Sequence, residues 1–195
     1  MQMAPEGHTN PGPPSYTIRR SAVLVLIHAS DESLSIPFTL RPTNLGHHGG
    51  EVSLPGGGFE SIDDTLKDTA LRETEEELGI PTVDVRILGD LTPLYIAPSQ
   101  NLVHPYIGWL PQLPTLDPDP REVEAVLDVP LAHLLNHESL DRHHWIYRGE
   151  ERTAPCYRVG QICIWGATAM MLNELLAVIR ERSTLQSRPP FPVQP

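Results

Sequence analysis

Hydrophobic and polar positions divide the chain into short segments of two kinds. "YTIRRSAVLVLIHA" (16–29) enters with alternation and closes in a continuous β-branched apolar run, which predicts a strand. "LSIPFTLRP" (34–42) predicts a second strand, with Pro37 pointing to a sheet edge or a bulge, and "GEVSLPG" (50–56) a short third. Residues 62–78 carry a helical period. "DVRILGDLTPLYI" (84–96) and "LVHPYIGWLP" (102–111) read as paired strands joined around "APSQN". After a loop at "TLDPDPREV", "VEAVLDV" (123–129) reads as a strand and "PLAHLLN" (130–136) as a short helix opened by proline. "HHWIYRG" and "TAPCYRV" predict a hairpin turning at "EER". "WGATAMMLNELLAVIRER" (165–182) predicts a last helix with basic residues in its final turn. Several strand connections are too short for parallel crossovers, so the expectation is an α/β fold with a mixed sheet and helices on both faces.

Length adds that this is one domain, expected over 17–184. Pro-rich segments flank it at 1–16 and 185–195, with the composition of poorly ordered arms. Charge changes the picture more. The net charge is −11, which disfavours nucleic acid or an anionic membrane as a partner. An anionic substrate would need a local reversal of the field by a metal ion or a few placed arginines. Two cysteines, Cys156 and Cys163, without a recognisable secretory signal, predict buried thiols and a cytoplasmic protein.

The chemistry concentrates in "GGGFESIDDTLKDTALRETEEELGI", Gly56 to Ile80. At about 100° per residue, Leu71, Thr74 and Leu78 share one helix face and Glu73, Glu76 and Glu77 another. Like charges at this spacing cost a few tenths of a kcal/mol per pair, and Arg72 can relieve part by reaching Glu76. A solvated acidic face would tolerate that repulsion. The glycines just before the helix argue for more. They let the backbone turn and present a carbonyl beside the acids, making an oxygen-rich site of the kind Mg²⁺ or Mn²⁺ prefers.

The stretch resembles the Nudix hydrolase signature, G-x5-E-x7-R-E-U-x-E-E-x-G-U, where U is bulky and apolar. It maps onto Gly58, Asp64, Arg72, Glu73, Thr74, Glu76, Glu77, Gly79 and Ile80, with Asp64 in place of glutamate and Thr74 in place of an apolar residue. The resemblance implies an α/β/α sandwich around a mixed sheet and a metal-dependent hydrolase of nucleoside diphosphates. By that resemblance Glu73, Glu76 and Glu77 ligate or orient metal, the Gly57 carbonyl is a further ligand, Asp64 is a weaker or water-mediated one, and Arg72 orients the carboxylates. The general base is Glu73 or an acid of the later loop, Glu122 or Glu124.

Upstream, "PFTLRPTNLGHHGGEVSLPGG" (37–57) resembles the extra motif of Nudix coenzyme A pyrophosphatases, L-L-T-x-R-S-x3-R-x3-G-x3-F-P-G-G. Thr39, Arg41, Gly50, Pro55, Gly56 and Gly57 match; Gly46 stands where the motif has its second arginine. That resemblance implies coenzyme A or a derivative as substrate, with Arg41 on its phosphates, Gly56 and Gly57 in the phosphate loop, and His47 and His48 as further donors. Two alternatives stay open. ADP-ribose or dinucleoside polyphosphates could be the substrate, since Tyr95 and Pro98 lie where those subfamilies carry their own pointers. A Nudix-like binding domain without catalysis is the other. Oligomeric state, a homodimer included, is left undecided by composition.

Overall fold

The structure, a computed structural model, describes residues 18–30, 33–43, 49–147 and 149–186. The Pro-rich arm at 1–16, Gly46, His47, His48 and residues 187–195 of the Pro-rich tail fall outside these.

The chain runs β1 (Arg19–Ser30), β2 (Ser33–Leu40), β3 (Val52–Ser53), β4 (Gly56–Gly58), α1 (Leu66–Leu78), β5 (Arg86–Asp90), β6 (Leu94–Ile96), β7 (Asn101–Leu110), β8 (Ala125–Pro130), α2 (Leu131–Leu135), β9 (Leu140–Tyr147), β10 (Glu150–Val159), β11 (Ile162–Ile164) and α3 (Gly166–Gln186). Eight strands form one mixed sheet with the path β3-β2-β1-β7-β5; β4 joins β1, β6 joins β7 and β8 joins β2. The β1–β7 pair is parallel over its length and the other pairs are antiparallel.

β1 is the centre of the fold because both its faces are covered. Ala22, Leu24 and Leu26 pack with Leu66, Ala70 and Leu78 of α1. Val25 and Ile27 belong to the opposite core with Phe38, Leu134, Tyr157 and Leu172. A continuous apolar run is therefore what this strand needs. Helices do lie on both sides of the sheet.

Several local expectations are corrected. β2 is not an edge: it pairs with β1 and with β8. Its ladder to β1 ends at the His28–Ser35 pair, just before Pro37, which has no N–H to donate. Glu150, Glu151 and Arg152 are not the hairpin turn but the first residues of β10, opposite Tyr147, Ile146 and Trp145. β9, β10 and β11 form a separate three-stranded sheet, tied to the start of α3 where His143 stacks on Trp165 at 4.5 Å. α3 continues to Gln186, so Arg180 and Arg182 lie short of its final turn and the expected dipole contact is absent. Cys156 is buried and Cys163 half-buried, both free. Burial, and then the Cys163 thiol, push the Cys156 thiol up to about 12.

Candidate active site

The helix that carries the acids starts later than its period predicts. Thr65 caps α1, its hydroxyl oxygen accepting from the Asp68 N–H at 3.3 Å. Residues 59–64 form a turn instead. At the other end Gly79 adopts φ 69° and its N–H donates to the Glu75 carbonyl at 2.8 Å. The last two helix carbonyls accept from the loop that follows β7: Asp117 N–H on Leu78 and Asp119 N–H on Glu77, at 3.0 and 3.1 Å. That loop ends where Glu124 N–H donates to the Leu40 carbonyl at 2.8 Å. A distant segment is thus fastened over the end of α1 and beside Arg41.

The turn before the helix exists for Arg72. Asp63 is buried, and its carboxylate accepts from Arg72 Nε at 2.9 Å and Nη2 at 3.1 Å. It also accepts from the Glu60 N–H and the Thr69 hydroxyl. These contacts, the arginine first, hold the Asp63 carboxyl well below the usual carboxylate range. The rest of the guanidinium is spent on the site: Nη2 donates to the Gly58 carbonyl, and Nη1 reaches Glu76 Oε2 at 2.9 Å and Glu73 Oε1 at 3.0 Å. Arg72 is therefore in contact with both Glu73 and Glu76. Its own anchor is Asp63, the neighbour of the motif position. Asp64 is exposed and makes no hydrogen bond or ion pair among the described residues.

Asp63→Asn replaces an anchoring charge with a neutral amide. We expect a loss of about 2 kcal/mol, less than the roughly 3–5 kcal/mol of a fully buried pair because Arg72 still opens onto solvent. The contribution of a depressed carboxyl is fully present above its unfolded pKa and is lost as pH falls on through its folded pKa. Denaturant titrations of both proteins should therefore begin to converge only below about pH 4 and should still differ at pH 3.

The three acids do not share one environment. Glu76 is exposed and Glu73 is half-buried. Glu77, expected on the acidic and not the inward face of the helix, is 4% exposed. It lies under β4, whose Gly56 N–H donates to its carboxylate. Its Oε2 is buried with no partner among the described residues. Burial, then the charges of Glu122 and Glu73, push its carboxyl up to about 8; Arg41 and the Gly56 N–H pull the other way. Glu73 is raised too, by burial first, against the pull of Arg72. Its carboxylate lies where a Gly57 Cβ would be, 2.4 Å from that position.

Of the two later-loop acids, Glu122 faces Glu73 and Glu77 closely enough to raise both, whereas Glu124 only closes the loop onto β2. Thr74 is buried and harmless there, because its hydroxyl donates to the Ala70 carbonyl at 2.7 Å. No group of three or more His, Cys, Asp or Glu among the described residues is drawn together as a closed metal-ligand set.

Beside the glycine strip lies a cleft of about 600 Å³. Arg19, Arg20 and Arg41 line it, and no acidic residue does among the described residues. In a chain of net charge −11 this is the local reversal an anion requires. Ile96, Val103 and, from α3, Ala167 and Met171 add an apolar wall. Thr168 fixes that wall by donating to the Val52 carbonyl at 3.1 Å. Arg19, Asn101 and Met171 carry no sequence signal of their own; strand pairing and helix docking bring them here. Tyr95 is buried in the fold, so it offers no ring to a substrate.

Comparison with known proteins agrees with this geometry. The family profile described as "NUDIX domain" matches residues 18–148. The chain is 36% identical over 160 residues to a protein of Photorhabdus laumondii named "Uncharacterized Nudix hydrolase NudL", covering 80% of this chain and 83% of that one. It is 35% identical over 162 residues to the Homo sapiens "Mitochondrial coenzyme A diphosphatase NUDT8", covering 82% of this chain and 69% of that one. Among solved structures, the NUDIX domain of Shewanella oneidensis NrtR complexed with ADP ribose superposes with a TM-score of 0.56 at 18% identity, covering 86% of this chain and 90% of that one, which speaks to the fold alone.

Proposed function

The chain belongs to the Nudix family of hydrolases, and on that premise we propose that it hydrolyses the pyrophosphate of coenzyme A or a derivative, with 3′,5′-ADP and 4′-phosphopantetheine or its acyl form as products. The observation that carries the choice of substrate is the cleft: arginines at the glycine strip, an apolar wall beyond it and no acid among its described lining residues. Coenzyme A has that distribution, with phosphates at one end and a long, weakly polar arm at the other. The similarity to a coenzyme A diphosphatase supports the same choice.

A divalent cation suits the acids. The orphaned Glu77 Oε2 and a Glu73 carboxylate seated against Gly57 are hard oxygens of the kind such a cation takes. Glu73, Glu76, Glu77 and the Gly57 carbonyl would hold Mg²⁺ or Mn²⁺, which there neutralises pyrophosphate oxygens and lowers the pKa of a water. Arg72 keeps Glu73 and Glu76 in place while the substrate comes and goes. Water adds to one phosphorus, the bridging P–O bond breaks, and the water proton passes to a carboxylate whose pKa is raised, Glu73 being one such group. Glu122 faces the same space and is the alternative acceptor. Arg41, on the glycine side of the cleft, takes part of the leaving charge.

The test is a chromatographic assay with coenzyme A, ADP-ribose and a dinucleoside polyphosphate offered in parallel with Mg²⁺ or Mn²⁺. We expect 3′,5′-ADP from coenzyme A and its disappearance with a chelator. Cleavage of the other two substrates in preference would discard the coenzyme A reading and leave the hydrolase; turnover that survives the chelator would discard the metal.

A further inference from the structure

We propose that Arg19 is a second phosphate-binding residue of the cleft, which reads a phosphate monoester carried by the nucleotide apart from the scissile pyrophosphate. This rests on the coenzyme A reading above and deepens it. Side chains alternate along β1, so Arg19, Ser21 and Val23 share the face that lines the cleft. Ser21 pairs with Gly58 and Val23 with Gly56. Arg19 is two residues past Ser21, which moves it about 7 Å along the strand beyond the end of the glycine strip. There it pairs with Asn101 of β7. The Ser21 hydroxyl donates to Asn101 Oδ1 at 3.1 Å, so the amide N–H groups are what Asn101 has left to offer. A guanidinium and an amide thus stand side by side as donors.

The other two arginines have different duties. Arg41 enters from the β2–β3 side of the cleft, where Glu77 feels its charge, and so serves the pyrophosphate over the glycines. Arg20 belongs to the alternate face of β1, and at the edge of the cleft its guanidinium is taken up over the Phe59 ring at 5.5 Å. Among the described residues Arg19 is left without an ion pair, and the cleft at whose mouth it stands has no acid in its lining. A ligand with one pyrophosphate and one detached phosphate would engage Arg41 and Arg19 together.

Calorimetry with 3′,5′-ADP and with AMP, on the native protein, Arg19→Ala and Arg86→Ala, tests this. Arg86 is exposed on β5 and its removal changes net charge equally. We expect the native preference for 3′,5′-ADP to fall about 10-fold in Arg19→Ala, as for loss of a charge-assisted hydrogen bond. It should survive in Arg86→Ala. In turnover, KM for coenzyme A should rise with kcat unchanged, and dephospho-coenzyme A should be unaffected. A preference that persists in Arg19→Ala, or an equal loss for both ligands, overturns the assignment. If native protein hydrolyses coenzyme A and the preference still persists, Arg19 alone is misassigned. If native protein shows neither coenzyme A turnover nor the preference, the substrate reading falls with it.

Discussion

Glu77→Gln is expected to lower kcat by about 10³-fold, roughly 4 kcal/mol of transition-state stabilisation, while the protein stays folded. Glutamine has the same shape and can still accept the Gly56 N–H, so packing under β4 is preserved. What it lacks is the negative charge that a divalent cation requires at the orphaned oxygen. The same substitution has a signature without substrate. A carboxyl raised from 4.5 to about 8 binds its proton more tightly in the folded than in the unfolded chain. Folded protein then carries a proton that unfolded protein has released between these two values, so stability falls as pH rises through that window. Urea titrations of metal-free native protein should show this decline between pH 5 and pH 8, and Glu77→Gln should flatten it. Mg²⁺ should also flatten it, by displacing the proton and supplying the counter-charge. Near-native turnover by Glu77→Gln, or an unchanged slope, would remove Glu77 from the site.

The burial of Glu77 is also where the sequence stops being informative. The wheel places Glu73, Glu76 and Glu77 on one face, and they are there. It cannot say that β4 lies over one edge of that face and leaves the other in water. The motif spacing identifies Arg72 and the acids because these contacts are local, three or four residues apart. It points to Asp64 as the upstream acid, whereas the chain turns Asp63 inward, since the helix starts at a Thr65 cap and the preceding turn closes with the Asp63 N–H donating to the Glu60 carbonyl at 3.1 Å. Periodicity extended through 62–64 has no means of registering that turn. Mixed pairing and helices on both faces followed from segment lengths and short connections. The second sheet did not, because β11 is three residues long and its partner reads equally well as half of a simple hairpin. Arg19 and Glu122 reach the site only through the parallel β1–β7 pair and the loop docked on the end of α1. Those are contacts between distant segments, which no local pattern encodes.

Gly56→Ala and Gly57→Ala should fail in opposite ways. A Cβ at Gly56 would stand 2.3 Å from the Ala22 carbonyl oxygen and 2.6 Å from Val23 Cα, both backbone atoms of the central strand. Its φ of 152° is one that side chains rarely adopt. Strain of about 1–3 kcal/mol and overpacking of similar size add to a loss of about 4 kcal/mol, much of a small domain's stability. A Cβ at Gly57 would first meet the end of the Glu73 side chain, at 2.4–2.5 Å. That carboxylate can swing away, so the fold should melt within about 1 kcal/mol of native. Turnover should drop about 100-fold, because Glu73 leaves both Arg72 and the position facing Glu77. Melting curves and kcat on the two variants separate the roles. A stable Gly56→Ala would mean β4 does not lie this close to β1. A fully active Gly57→Ala would mean that Glu73 works from somewhere other than the pocket the glycine leaves for it.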